Sequence, residues 1–441
     1  MGARHLVSIR RARLRGQSMR VSVFDSWSRL PSLMNQSAAS VPCGVWLLAG
    51  RVRPPPPRHS MHNRHMSEAP TLDGRPDEWV TPTPGGAPYA LQYPCGEPPA
   101  SGQVREVAPG VLWLRMPLPF ELDHINLWAL ADEDAHGPGW AIVDTGTKTP
   151  EALAVWRQLI AADGPLAATP QGARITRILC THMHPDHVGM AGWLTRKFQC
   201  RLWMTRLEYL TCRILAGDTG REAPSEAIGF YREAGWNEEA LDVYRTRFGG
   251  FGKYMHALPD SFRRISDGET VRIGANDWRV IVGRGHSPEH ACLLSDELGV
   301  LVSGDQVLPR ISSNVSVFPT EPDADPLGEW IASIAHLRTT LGDHLLVLPA
   351  HGEPFRGLHA RLDRLAQGHD RCLQRLRRSL ADSPKRAIDV FGALFARPID
   401  NNGHLLGLAT GESLAHINYL LARGEAVCEI DVDGVRRYRM K

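Results

Sequence analysis

The segment Cys180–Met190, "CTHMHPDHVGM", contains four side chains of the kinds that bind metal ions. They are His182, His184, Asp186 and His187, and they follow the apolar run "ITRILC". Neutral imidazole and carboxylate are the usual ligands of zinc and similar cations. If the segment is extended, alternate positions share a face, so the first three converge while the fourth turns aside. One histidine at a strand end is usually an ordinary polar residue. Four ligands with this spacing predict a site for two metal ions.

A two-metal site needs further ligands from elsewhere in the chain, and three candidates follow apolar runs. His286 comes after "WRVIVG", Asp305 lies in "VLVSGDQ", and His351 lies in "LLVLPAHGEP". Each stands beside Gly, Ala or Pro, as expected of ligands that project from one rim of a sheet. This repeated placement strengthens the prediction of a metal centre.

The composition excludes several classes of protein. The chain has 441 residues, 43% of them hydrophobic and 22% charged, which is typical of a globular protein. Its 50 basic and 48 acidic side chains provide no global field that would favour nucleic acid or a membrane surface. Eight cysteines without a C-x-x-C pair indicate reduced thiols and a cytoplasmic protein. No apolar run approaches the roughly 20 residues that span a bilayer, so we expect no membrane partner.

Residues 1–103 are predicted to be an N-terminal extension that is largely disordered and outside the fold. The first 65 residues are rich in Arg and Ser, and Asp25 is their only acid. We favour an over-long start, with translation beginning at Met61 or Met66. The alternative is a targeting segment, which would place the protein in an organellar matrix.

The remaining sequence predicts two regions. Residues 104–355 form the expected catalytic domain: strands at 110–116, 125–131 and 140–146, the helix "PEALAVWRQLIAA", a strand before the histidine cluster, helical sequence over 205–247, and further strands. This order favours a layered α/β fold. Residues 356–441 form a long helix, helices near 386–396 and 411–423, and a hairpin with an Asp-Gly turn. This second region is expected to be a small winged-helix-like domain.

The motifs "THMHPDH", "GHSPEH", "SGD" and "PAHG", in this order, resemble the metallo-β-lactamase-fold hydrolases. "VDTG" at 143–146 resembles the early Asp-Thr-Gly turn of that fold, and the resemblance covers about residues 105–355. It implies an αβ/βα four-layer sandwich with two divalent metal ions at one edge. The His and Asp ligands suit zinc, which is the first expectation, and also iron or manganese as alternatives. The resemblance also implies ligand sets: His182, His184 and His286 for one metal, Asp186, His187 and His351 for the other, and Asp305 bridging them.

Two such cations share a water molecule and lower its pKa toward neutrality, so the expected nucleophile is hydroxide bound to both metals. Asp186 is the candidate catalytic residue that orients this hydroxide or accepts its proton. For Asp144 two interpretations stay open: it contacts a ligand histidine and holds that imidazole in place, or it is a turn residue before Gly146.

The residues at and after the predicted ligands distinguish between subgroups of the metallo-β-lactamase-fold hydrolases. The carboxylate of Asp305 departs from the true β-lactamases, where Cys or Ser is expected. His351 is followed by Gly352, Glu353 and Pro354, which departs from the Gly-His-Glu-Tyr pattern of glyoxalase-II-like enzymes. The segment "SGDQVLPRISSNVSVFP" and the C-terminal tail are more similar to the subgroup called β-lactamase-like protein 2.

Two functions follow from these patterns. The preferred one is hydrolysis of an ester, thioester or lactone of a small molecule, with the apolar loop "GGFGKYMHALP" lining a pocket. The alternative is an endoribonuclease acting on single-stranded RNA, suggested by the tail and by a basic helix, for which a solvated helix face is the favoured interpretation. The basic residues are Arg361, Arg364, Arg371, Arg375, Arg377, Arg378, Lys385 and Arg386. A non-enzymatic protein with a structural metal is less favoured. Arg310, Asn314 and Tyr254 are candidate substrate contacts, and an apolar face on the tail would serve a homodimer.

Overall fold

The computed structural model describes residues 91–119, 122–396, 398–399 and 403–441. Its strands are β1 (Val104–Ala108), β2 (Val111–Pro117), β3 (His124–Asp134), β4 (Gly137–Val143), β5 (Ala167–Thr169), β6 (Gly172–Ala173), β7 (Ile175–Leu179), β8 (Arg201–Met204), β9 (Arg263–Arg264), β10 (Thr270–Ile273), β11 (Asn276–Gly283), β12 (His290–Ser295), β13 (Val300–Gly304), β14 (Leu346–Pro349), β15 (Ala426–Ile430) and β16 (Arg436–Met440). Its helices are α1 (Pro150–Leu159), α2 (Pro185–Val188), α3 (Ala191–Phe198), α4 (Arg206–Gly217), α5 (Ser225–Glu233), α6 (Glu238–Arg247), α7 (Pro326–Thr340), α8 (Leu358–Asp382), α9 (Phe391–Leu394) and α10 (Gly403–Ala422).

Two mixed sheets face each other across a shared core. Within the described residues, one sheet has the order β1-β2-β3-β4-β7-β8-β9 and the other β10-β11-β12-β13-β14. Alternate residues of a strand point to opposite faces, so Trp113 and Trp128 of the first sheet pack with Trp278 and Leu293 of the second. The carboxyl ends of β7, β11, β13 and β14 lead into the segments that contain the predicted ligands.

Helices cover the outer face of each sheet. Leu114 and Ile125 of the first sheet pack against Trp156 of α1 and Leu194 of α3. The outer face of the second sheet packs against α7, α8 and α10 in one continuous cluster. The resulting order of helix, sheet, sheet and helix confirms the predicted αβ/βα four-layer sandwich.

The predicted elements differ from the structure in several places. The strand predicted at 140–146 is β4, which ends at Val143, and the helix predicted near 386–396 is a 3-10 turn at Ala387–Val390 followed by the short α9. Helical sequence was expected without interruption over 205–247, but the chain forms α4, α5 and α6, separated by a turn at Gly220 and another at Gly235. Both glycines have positive φ, which a helix does not accommodate. In the tail, α10 begins at Gly403, eight residues before the predicted start. The long helix α8 and the hairpin β15–β16 agree with the prediction.

Residues 1–90 lie outside the described residues, so the interpretations of the N-terminal segment stay predictions. The cellular compartment and the winged-helix character of the tail also stay predictions. The described chain begins at Leu91, and Gln92 pairs with Arg356 in an isolated bridge. None of the described helices combines the length and the apolar composition that a bilayer-spanning segment needs. The described cysteines are free thiols.

Candidate metal centre

The histidine cluster begins extended and ends in a helical turn. After β7, His184 has extended φ and ψ angles (−62° and 147°), as expected of a residue before proline. Pro185 then starts α2, and the main-chain N–H of His187 donates to the carbonyl of His184. The expectation that His187 turns aside assumed an extended segment throughout. His187 does group apart from His182 and His184, but Asp186 groups with His187 because α2 starts at Pro185, so the expected convergence of Asp186 with those two histidines is wrong.

Four side chains form a first group of potential ligands. One atom each from His182, His184, His286 and Asp305 lies within 4.8 Å of the others. His182 Nε2 is 2.7 Å from His184 Nδ1 and 3.3 Å from His286 Nε2, and His286 Nε2 is 3.3 Å from Asp305 Oδ2. All four residues are buried.

A second group contains Asp186, His187 and His351, whose ligand atoms also lie within 4.8 Å of one another. Asp186 Oδ2 is 3.5 Å from His187 Nε2 and 3.4 Å from His351 Nε2. Asp305 lies between the groups: its Oδ2 is 3.6 Å from His187 Nε2 and its Oδ1 is 3.5 Å from His351 Nε2. The structure therefore gathers the seven sequence-predicted residues into two adjacent groups that meet at one carboxylate.

This donor set fits divalent cations. Among the described residues, neither Asp305 oxygen nor His187 Nε2 has a hydrogen-bond partner, although all three atoms are buried. A buried carboxylate is strongly destabilising unless it is paired or binds a metal. Burial, followed by the neighbouring histidines, lowers the pKa of His182 well below its ordinary value and that of His184 to about 3. Both imidazoles are therefore neutral, which is the form that binds metals.

Hydrogen bonds orient three of these imidazoles. Nδ1 of His286 donates to the carbonyl of Asn314 (2.7 Å), and Nδ1 of His351 donates to the carbonyl of His124 (3.0 Å). A carbonyl only accepts, so each contact places the proton on Nδ1 and leaves Nε2 for a metal. His187 Nδ1 lies 2.8 Å from the Asp144 carboxylate.

Asp144 satisfies both interpretations that were left open. Its backbone has a φ of 61°, a turn conformation that Asp adopts more readily than most residues. Its carboxylate also accepts from the main-chain N–H of Thr181 (2.8 Å) and from the Thr181 hydroxyl (2.9 Å). Although burial disfavours the charged imidazole, the carboxylates of Asp144, Asp186 and Asp305 raise the pKa of His187. Asp144 thus connects the turn after β4 to the start of the histidine segment.

Two residues at the centre were not identified in the sequence. Glu208 of α4 is buried, and its carboxylate accepts from the N–H groups of Met183 (2.9 Å) and Glu289 (2.7 Å). Burial raises the pKa of Glu208 to about 7. His290 Nε2 accepts from the N–H of Asp305 at 3.0 Å, so this histidine helps to position Asp305. The motif "GHSPEH" contained a signal for His290, whereas Glu208 looked like an ordinary helix residue.

The three candidate substrate contacts occupy different environments. Asn314 lies beside His286 as described above. Arg310 forms an ion pair with Glu353 (3.1 Å) and stacks over Tyr93. Tyr254 lies in a short 3-10 turn, where its carbonyl accepts from the N–H of Lys148. No substrate role follows from these contacts, so those roles stay predictions.

Comparison with known proteins agrees with this geometry. Residues 125–351 match the family model described as the metallo-beta-lactamase superfamily, and residues 373–441 match a model described as the metallo-beta-lactamase-like C-terminal domain. A beta-lactamase domain protein of known structure from Burkholderia ambifaria is 42% identical; the match covers 80% of this chain and 98% of that one, with a TM-score of 0.71.

Two curated proteins are also similar. The first, described as the probable metallo-hydrolase YqjP of Bacillus subtilis, is 23% identical over 71% of this chain and 92% of its own. The second is described as an atrochrysone carboxyl ACP thioesterase of Aspergillus fumigatus. It is 30% identical over 139 residues, which are 30% of each chain.

Proposed function

The chain belongs to the metallo-β-lactamase superfamily and is a metallo-hydrolase, and on that premise we propose that it hydrolyses an ester, thioester or lactone of a small molecule with two divalent cations. The observation that carries the proposal is the meeting of two buried groups of ligand atoms at Asp305. A single structural metal needs about four ligands and no bridging carboxylate.

We assign the ligands by these groups. His182, His184 and His286 would hold one cation and Asp186, His187 and His351 the other, with Asp305 between them. When bound, the cations would supply Lewis acidity for a substrate carbonyl and would acidify water. Zinc is the preferred ion for this His and Asp set, with iron and manganese as alternatives.

The chain's own groups then have distinct roles. Although burial disfavours ionisation, the imidazoles of His187 and His351 lower the pKa of Asp186. Asp186 is therefore an anionic acceptor and is proposed to orient the attacking water and receive its proton. Asp144, Asn314 and His124 hold three imidazoles in position, so the donor atoms need little rearrangement on binding.

The preference for a small acyl substrate over RNA rests partly on the basic helix α8. Arg361 is buried and donates to the carbonyls of Leu308 and Ile311, and Arg375 donates to the carbonyl of Ala393. Arg377 pairs with Glu425. These three guanidinium groups stabilise the protein itself, so a continuous phosphate-binding face on α8 is not supported. The similarity to a protein described as a thioesterase supports an acyl substrate.

A homodimer also stays a proposal. The apolar residues exposed on the tail include Ile430 and Val432 at the hairpin. Sedimentation of the protein at several concentrations would test whether this surface pairs two copies.

The function is tested with zinc-reconstituted protein and the matched Asp186→Asn variant. We expect the wild type to hydrolyse at least one member of a panel of acyl thioesters, aryl esters and lactones, and the variant to lose that activity. Labelled single-stranded RNA is incubated in parallel. RNA cleavage that is lost in the variant, without acyl hydrolysis, would instead establish the nuclease. Equal activity of both proteins on acyl substrates would refute the role of Asp186.

A further inference from the structure

The segment Ser313–Val317 connects the metal centre to the tail. On one side, the carbonyl of Asn314 accepts from His286 Nδ1 at 2.7 Å, and the Ser313 hydroxyl donates to the carbonyl of Asp305. On the other side, the N–H of Val317 donates to the carbonyl of Gly411 in α10 at 3.0 Å. The same short segment therefore touches two proposed metal ligands and the tail helix.

The Asn314 side chain is held at both ends. Its Nδ2 donates to Glu412 Oε2 at 2.9 Å, and its Oδ1 accepts from the Ser316 hydroxyl at 2.5 Å. Asn314 is buried, so losing either partner would leave a polar group unsatisfied in the interior. These two hydrogen bonds restrict the side chain, and with it the main chain whose carbonyl faces His286.

Close packing brings Glu412 to this position. A Cβ on Gly411 would lie 2.8 Å from Ser316 Cβ and 2.9 Å from the carbonyl oxygen of Val317, so only glycine allows α10 to approach the segment. Glu412, the next residue, is half-buried, and burial raises the pKa of its carboxyl to about 7. Transfer of a carboxyl from water to such a place is unfavourable without a hydrogen-bond donor, which Asn314 supplies.

We propose that Glu412 of the tail is a positioning residue of the metal centre. Through the Asn314 amide it holds the carbonyl that accepts from His286 Nδ1, and so keeps His286 Nε2 directed at Asp305, 3.3 Å away. The tail then helps to position a metal ligand, in addition to packing in the hydrophobic core. This inference rests on the proposed function, since it requires His286 to be a metal ligand.

The experiment measures zinc affinity of the full-length protein by competition with a chromogenic chelator. The variants are Glu412→Ala, Glu412→Gln, Asn314→Ala and the double alanine variant. The matched control is Asn418→Ala, because Asn418 of the same helix donates to the carbonyls of Pro322 and Ala324 and touches no proposed ligand. Nitrogen NMR of labelled histidines reports the tautomer of His286 independently of activity.

We expect Glu412→Ala to weaken zinc binding about tenfold, the lower end of the effect of outer partners of ligand histidines, and to broaden the His286 tautomer signal. Glu412→Gln keeps an acceptor for Asn314 and should stay within about threefold of the wild type. The double variant should bind zinc no more weakly than the more affected single variant, because both substitutions remove the same contact between Glu412 and Asn314. Asn418→Ala should lower thermal stability and leave zinc affinity unchanged.

Two results would overturn the inference. One is wild-type zinc affinity in both Glu412→Ala and Asn314→Ala. The other is equal weakening by Asn418→Ala, which would indicate general loosening of the tail. If Glu412→Ala does not fold, Asn314→Ala and Glu412→Gln decide the question. A wild-type protein that binds no zinc at all would instead refute the proposed function.

Discussion

His369 of α8 makes the stability of the protein sensitive to acid. It is buried, and its Nε2 accepts a hydrogen bond from the indole N–H of Trp330 in α7 at 2.9 Å. A nitrogen that accepts this bond carries no proton, so the folded protein requires a neutral imidazole. Burial, with smaller effects from His416 and Arg361, lowers the pKa of His369 from 6.5 to about 3.

The direction of the effect follows from proton linkage. As the pH falls below 6.5, His369 takes up a proton in the unfolded chain, whereas in the folded protein it stays neutral until about pH 3. The free energy of unfolding therefore decreases as the pH falls through this window. Between about pH 7 and about pH 5, one such histidine accounts for a decrease of about 2 kcal/mol.

His369→Gln separates this contribution from the other titrating groups. The glutamine oxygen can still accept from Trp330, but it takes up no proton in this range. Urea unfolding followed by circular dichroism at both pH values should show a decrease about 2 kcal/mol smaller in the variant than in the wild type. His336→Gln, at an exposed position of α7, is the control and should follow the wild type. An unchanged pH dependence in His369→Gln would refute this account of the α7–α8 contact.

Three further predictions concern the metal centre and its support. Asp305→Asn removes the charge between the two ligand groups, so the reconstituted protein should retain fewer bound zinc ions by mass spectrometry of the metal; wild-type stoichiometry would contradict a bridging role. Glu208→Gln has one acceptor oxygen for the N–H groups of Met183 and Glu289, and should lower the free energy of unfolding by about 1–3 kcal/mol. The exposed Glu239→Gln serves as its control, and equal stability of the two would be evidence against the assigned contacts. Gly192→Ala would place a Cβ 2.0 Å from the carbonyl oxygen of Ala257, with an expected loss of about 1–3 kcal/mol in urea unfolding. Gly229→Ala, which meets nothing within 4 Å, should not be destabilised, and similar losses in both would refute the packing argument.

Local sequence determined much of the architecture. Short apolar runs predicted β2, β3 and β4, and the strand geometry distributes their side chains between two cores because successive residues of a strand face opposite sides. Helix α1 begins at Pro150, as the run "PEALAVWRQLIAA" predicts, since Pro suits the first turn; in the structure the Thr149 hydroxyl also accepts from the N–H of Ala152. These signals reside in adjacent positions, which a sequence displays directly. The candidate ligands were found in the same way, from residue type and strand ends.

Only the tertiary structure decided the direction and support of those ligands. His187 faces the centre because α2 starts at Pro185, which alternation could not show. Glu208 meets Met183 across 25 positions, and Glu412 meets Asn314 across 98. Arg361 seemed part of a basic surface, yet packing directs it inward to main-chain carbonyls. The type and spacing of residues thus determined the chemistry available to the chain, whereas contacts between distant segments decided where each group points. The energies of these contacts depend on how deeply each group is buried and on its hydrogen-bond partners, and neither is a property of the local sequence.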